Sequence, residues 1–184
     1  MKTETLKLTI IANFIAVGVA IGYALAFLPN IEMVTMIIFI GGYLLGWRSG
    51  AFIGLATEFI YSNFNLYGPA PIHILVAQIF AMTTTGIVGG IAKNIGGVNL
   101  SSVASRIMFL VLGGAVTVFF DLVTTWADVF IIDAGMGFFM SRLIAGMPFF
   151  AVHIVSNAFI FFFLVHTLIQ TLQKLPVFER IRNI

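Results

Sequence analysis

From Leu8 to Leu28 the chain runs 21 residues without a charged side chain, and from Leu143 to Leu172 it does so for 30. A helix needs roughly 20 apolar residues to cross a hydrocarbon core of ~30 Å. Runs this long predict an all-α integral membrane protein. Composition agrees: 9% of residues are charged and 60% are hydrophobic. A soluble domain carries ~25% charged residues, enough to coat a water-facing surface. The runs are too continuously apolar for barrel strands, whose side chains alternate. The absence of cysteine removes a disulfide framework and thiolate metal sites.

Six stretches are predicted to span within a single domain, 1–184. They cover 8–28, 33–46, 50–61, 72–92, 107–126 and 143–172. Pro29-Asn30 ends the first, because proline removes a donor and restricts the residue before it. Trp47-Arg48-Ser49 is expected to separate the second from the third. Asn63 to Pro71 holds two Asn, one Gly and two Pro and reads as a loop. Gly96-Gly97 follows the fourth, and a polar segment from Asp128 to Gly137 follows the fifth. The second stretch has 14 residues, or only ~21 Å of helix. The second and third are therefore expected to form a short hairpin whose ends stop short or are covered by protein.

Basic residues orient this arrangement. With the N-terminus inside and six crossings, Lys2, Lys7, Arg48, Lys93, Arg106, Lys174, Arg180 and Arg182 fall on the cytoplasmic side and only Arg142 outside. Eight of nine on one face is the positive-inside pattern. Both termini are then cytoplasmic. The outer side receives Glu32, Asp128 and Asp133. The net charge of +2 thus marks topology and not a nucleic-acid surface. Ala24-Leu25-Ala26 resembles a signal cleavage site. The apolar run before it is longer than a secretory h-region, which predicts a retained first helix.

Small residues repeat every four positions on the first helix. Ala12, Ala16, Ala20 and Ala24 form one stripe, and Gly18 and Gly22 form another on a different face. Such stripes let helices approach closely in lipid. Two stripes on one helix leave one for a partner outside the chain. Gly42, Gly46, Gly50 and Gly54 repeat the spacing around the turn between the second and third stretches, where a tight hairpin is the simpler reading.

Ionisable groups inside a membrane are costly and usually functional. Glu58 and Asp121 fall within predicted spans. Thr124, Thr125 and Asp128 share a helical face with Asp121. Arg142, Gly146, Phe149, His153 and Asn157 share a face of the sixth helix. Gln78 lies in the outer half of the fourth. Asn30, Glu32, Asn63, Asn65, Tyr67 and His73 lie outside. Each has a structural alternative: Gln78, His153 and Asn157 as interhelical hydrogen bonds, Asp121 as the ion-pair partner of Arg142. Together they predict an outward-opening pocket with aromatic walls. The candidate binding residues are Asp121, Thr125, Arg142, His153, Asn157, Gln78, Asn65, Tyr67, Glu32 and Glu58. Since Arg142 is the one base on an otherwise acidic outer side, a neutral, cationic or amide-rich ligand with a broad apolar body is expected.

Catalytic signatures are missing. There is no G-x-x-x-x-G-K-[ST] phosphate loop, no H-E-x-x-H and no G-x-S-x-G elbow. His73, His153 and His166 are not at paired ligand spacing. Ser156 lies three residues from His153, with no third group evident to position the pair. No enzyme activity, cofactor or metal is expected.

The chain resembles the substrate-binding S component of energy-coupling factor (ECF) transporters, which import vitamins and related micronutrients in prokaryotes. The similarity lies in Ala12-x-x-x-Ala16-x-x-x-Ala20, in Pro29-Asn30-Ile31-Glu32, in Gly41-Gly42-Tyr43-Leu44-Leu45-Gly46, in Tyr67-Gly68-Pro69-Ala70-Pro71 and in His153-Ile154-Val155-Ser156-Asn157. The resemblance implies a multi-pass protein of a prokaryotic cell membrane that binds a vitamin-like molecule from outside. It implies that Ala12, Ala16 and Ala20 contact a membrane T subunit, that two cytoplasmic ATPases supply energy, and that the whole component topples to deliver its load. A small secondary transporter or channel working alone is the alternative. Inverted repeats, frequent in secondary transporters, are not evident.

Overall fold

The computed structural model describes residues 3–65, 67–95, 103–132 and 135–182. Lys2, the Gly96-Gly97 loop, Asp133 and the Arg182 side chain, used in the reading above, lie outside that description. Among the described residues every regular element is a helix: α1 (Thr3–Leu25), α2 (Val34–Leu45), α3 (Trp47–Asn63), α4 (Ile72–Asn94), α5 (Val103–Ile132) and α6 (Gly135–Ile160). A π-helical turn (Phe161–Val165) joins α6 to α7 (His166–Gln173), and α8 (Pro176–Arg182) follows. Four stretches are long and apolar enough to cross a membrane: Glu4–Leu25, Ile72–Asn94, Val103–Val129 and Gly135–Gln173. The protein is a helical bundle of the membrane type.

Several boundaries differ from expectation. Trp47-Arg48-Ser49 is no loop but the first turn of α3, and Arg48 stacks on the Trp47 ring at 5.1 Å. The whole α2–α3 connection is Gly46, at φ +90°, a left-handed conformation open to glycine without penalty. The expected polar segment after Trp126 is helical through Ile132, and α6 begins at Gly135, eight residues before the predicted Leu143. Asp128 survives inside a helix because α4 and α6 supply its partners, described below.

All twelve residues of α2 are buried. At ~1.5 Å per residue it spans ~18 Å, less than a full hydrocarbon core. The other helices cover its flanks, which is how short helices persist at membrane depth. Lys93 Nζ donates to the Leu44 carbonyl at 3.4 Å, capping its C-terminal end.

Glycine sets the packing of α2 and α3 on α4. A Cβ added to Gly50 would strike the Gly86 carbonyl, and one on Gly86 would strike that of Gly50. Gly54 meets the Met82 carbonyl and Gly89 that of Phe39 in the same way. The repeat around the second and third stretches therefore serves the approach to α4 as well as the turn. On α1, Gly18 faces Thr57 and Ile37, and Gly22 faces Tyr61 and Val34. Ala12, Ala16, Ala20 and Ala24 are all exposed.

The bundle has two unlike halves. In the half that ends at Arg48, Lys93 and Arg106, Phe39 packs edge-on to Phe109 and Phe161, with ring centroids 6.0 and 5.0 Å apart. Phe161, in the π turn, lies against Gly113, where a Cβ would strike its ring. Arg106 donates to the Phe162 carbonyl at 3.4 Å. The opposite half holds the buried carboxylates Glu58 and Asp121, together with His153 and Asn157.

Candidate functional site

The loop after α1 builds one wall of the site. Asn30 adopts φ +59°, a conformation that Asn tolerates better than most residues. Its carbonyl accepts the Ser156 hydroxyl at 3.0 Å, which ties the loop to α6. Glu32 then enters the bundle, and its Oε2 accepts the Thr35 backbone N–H at 2.9 Å. That bond satisfies a free donor in the first turn of α2.

Glu32 joins a buried network. Its Oε1 accepts from Asn157 Nδ2 at 2.9 Å and lies 3.7 Å from His153 Nε2. His153 Nδ1 sits 2.8 Å from Asp121 Oδ1. Phe120 packs edge-on to the imidazole, with centroids 5.8 Å apart. Burial alone would raise the Glu32 carboxyl, but His153 and the Thr35 bonds outweigh it and hold the group below its usual range. Ser156 donates to the Asn30 and His153 carbonyls. Its hydroxyl is thus engaged with backbone, not with the imidazole ring.

A second cluster joins α3 to α4. Ser62 Oγ lies 2.7 Å from Glu58 Oε1 and 3.0 Å from the Gln78 amide. Glu58 is 2% exposed. A chamber of about 210 Å³ lies between the two clusters, with Glu32, Glu58, Tyr61, Gln78, Phe120 and His153 on its wall. A larger groove of about 480 Å³ runs between α4, α5 and α6, lined by Gln78, Phe120, Thr124, Thr125, Asp128, Arg142 and Phe149 among others. Gln78 and Phe120 line both spaces and form the partition between them.

The structure brings together most of the predicted residues. Glu32, Glu58, Gln78 and His153 line the chamber, and Gln78, Thr125 and Arg142 line the groove. Asp121 and Asn157 stand behind the wall, bonded to His153 and Glu32. Asn65 and Tyr67 line neither space. Asn65 Oδ1 accepts the Tyr67 backbone N–H at 3.0 Å, a local turn, and Tyr67 is 78% exposed. The Tyr67 hydroxyl reaches the Ala26 carbonyl at 3.5 Å, so the loop crosses the rim of the chamber.

The alternative role of Asp121, as ion-pair partner of Arg142, does not hold: Asp121 bonds His153. Arg142 pairs with Asp128, whose other oxygen lies 3.1 Å from His73 Nε2. Asp128 is seven residues beyond Asp121, so both face α6 but at different depths. Tyr61, Ser62 and Phe120 belong to the site as well, beyond the residues predicted from sequence. Only Ser62 carried a local signal, four residues after Glu58 on one helical face. Nothing distinguishes Tyr61 or Phe120 from the chain's other aromatics. Comparison with family models, with curated proteins and with solved structures gave no significant match.

Proposed function

We propose that this chain is the substrate-binding S component of an ECF-type importer, taking a vitamin-like molecule from the outer side. In this reading the chain spans the membrane six times with both termini inside, in a prokaryotic cell membrane. A membrane T subunit and two cytoplasmic ATPases supply the energy.

The observation that carries the reading is the division of α1 into two small-residue faces. Gly18 and Gly22 are consumed by packing on α2 and α3. Ala12, Ala16 and Ala20 remain exposed along the helix, a surface suited to close approach by another helix. The polar chamber and groove lie in the half of the bundle away from Arg48, Lys93 and Arg106. Placing the basic end inside turns both spaces outward.

Affinity purification of the tagged chain from its native membrane tests the proposal. Stoichiometric recovery of one membrane subunit and two ATPase subunits is the expected result. Concentrative uptake by the chain alone in liposomes would refute it and favour a stand-alone transporter.

A further inference from the structure

We infer that the smaller chamber receives a positively charged nitrogen group, an ammonium or amidinium carried on a flat apolar body; this rests on reading the chamber as part of the substrate site. Two carboxylates, Glu32 and Glu58, lie on its wall. Among the described residues His153 is the one basic side chain there, and it already stands between Asp121 and Glu32 at 2.8 and 3.7 Å. Glu58 is 2% exposed and forms no ion pair among the described residues. A buried carboxylate without a counter-charge is strongly disfavoured.

Arg142 does not serve, because Asp128 holds it in the neighbouring groove. A ligand cation supplies the charge that Glu58 lacks, whereas an anion adds a like charge to the carboxylates already present. Tyr61 and Phe120 give the chamber flat aromatic walls, which favour a cation and a planar body alike. A volume of about 210 Å³ admits a head group and one ring, and a longer ligand continues past Gln78 into the groove.

Benzamidinium, benzamide and benzoate share a ring and a planar head but differ in charge. Melting of the purified full chain in nanodiscs is measured with each at millimolar concentration. The expected result is a rise with benzamidinium and none with benzoate. Glu58→Gln should weaken benzamidinium by about tenfold or more, the loss of a charged partner, and leave benzamide unchanged. A benzoate shift equal to that of benzamidinium, or no benzamidinium shift in the wild type, overturns the inference. Where Glu58→Gln does not fold, Glu58→Asp retains the charge and should retain the preference; its loss counts against the inference. Native mass spectrometry of the wild type gives an independent reading, because a retained anion also overturns it. Subunit capture separates the two proposals. Partners recovered with a benzoate preference leave the importer standing and remove the charge assignment. A benzamidinium preference without partners does the reverse.

Discussion

His153 of α6 and Asp121 of α5 are joined by a 2.8 Å bond, and both side chains are buried, with 8% of each exposed. Arg142, on the same face of α6, is 51% exposed and held by Asp128. The two acid–base pairs between these helices thus differ in burial. Charge-assisted bonds in buried sites contribute about 1.5–3 kcal/mol, and exposed pairs about 0–1 kcal/mol. Asp121→Asn should lower the ligand-free melting temperature clearly, and Arg142→Gln should barely move it. Thermal melts of both variants in one detergent check this. Equal losses would show that burial does not rank the pairs.

Gln78 stands between chamber and groove, half-buried and joined to Ser62 by one bond. Its removal leaves the helix packing in place. Gln78→Ala should melt near normally without ligand and lose most of the ligand-induced shift. One polar contact to a ligand is worth about 1–3 kcal/mol, or roughly five- to 150-fold in affinity. Benzamidinium is the reagent for this measurement.

Ala16 and Ala20 touch no tertiary core, so large side chains fit there in the isolated chain. Ala16→Trp with Ala20→Trp should leave melting and ligand retention unchanged. If the chain is the proposed importer component, recovery of partner subunits and uptake in cells should fall at least tenfold, since a ring on this face blocks close helix approach. Unchanged uptake would remove the face from the partner interface.

Gly86 opposes the Gly50 carbonyl across the α3–α4 contact. Gly86→Val must push two backbones apart, and overpacking costs about 1–3 kcal/mol or more. Reduced expression and a lower melting temperature are expected. Gly114 offers a control on α5, because a Cβ there meets nothing. Gly114→Ala should melt at or slightly above the wild type.

Orientation is open to direct chemistry, because the chain has no cysteine. Ile95→Cys, at the end of α4, should resist an impermeant thiol reagent in intact cells. Tyr67→Cys, on the exposed loop after α3, should react. Reaction at position 95 from outside would reverse the topology.

Much of this molecule is written locally. Uninterrupted apolar runs are enough to specify α1, α4, and the greater part of α5 and α6, because lipid enforces internal hydrogen bonding on any long apolar segment. Helical spacing likewise placed Arg142, Gly146 and Phe149 on one groove-facing side of α6, with His153 and Asn157 buried on the same face. Local signals misled where an element's partners lie far off in the chain. Asp128 opens a locally polar segment beyond the predicted span, yet it is helical with neighbours fifty-five residues before it and fourteen after. Trp47-Arg48-Ser49 looked like an interface turn, although one glycine was enough to reverse the chain.

Periodicity assigns a residue to a face, but it leaves open the rotation and axial offset of each helix against the next. The sequence alone determined that α1 carries two small-residue stripes; the tertiary structure decided that the glycine stripe turns inward. The reason is steric: Thr57, Tyr61, Val34 and Ile37 fill the space beside Gly18 and Gly22, where a Cβ does not fit. The same offset determined which acid meets which base. Asp121 and Asp128 are equivalent by spacing, but depth in the bundle gives the first to His153 and the second to Arg142.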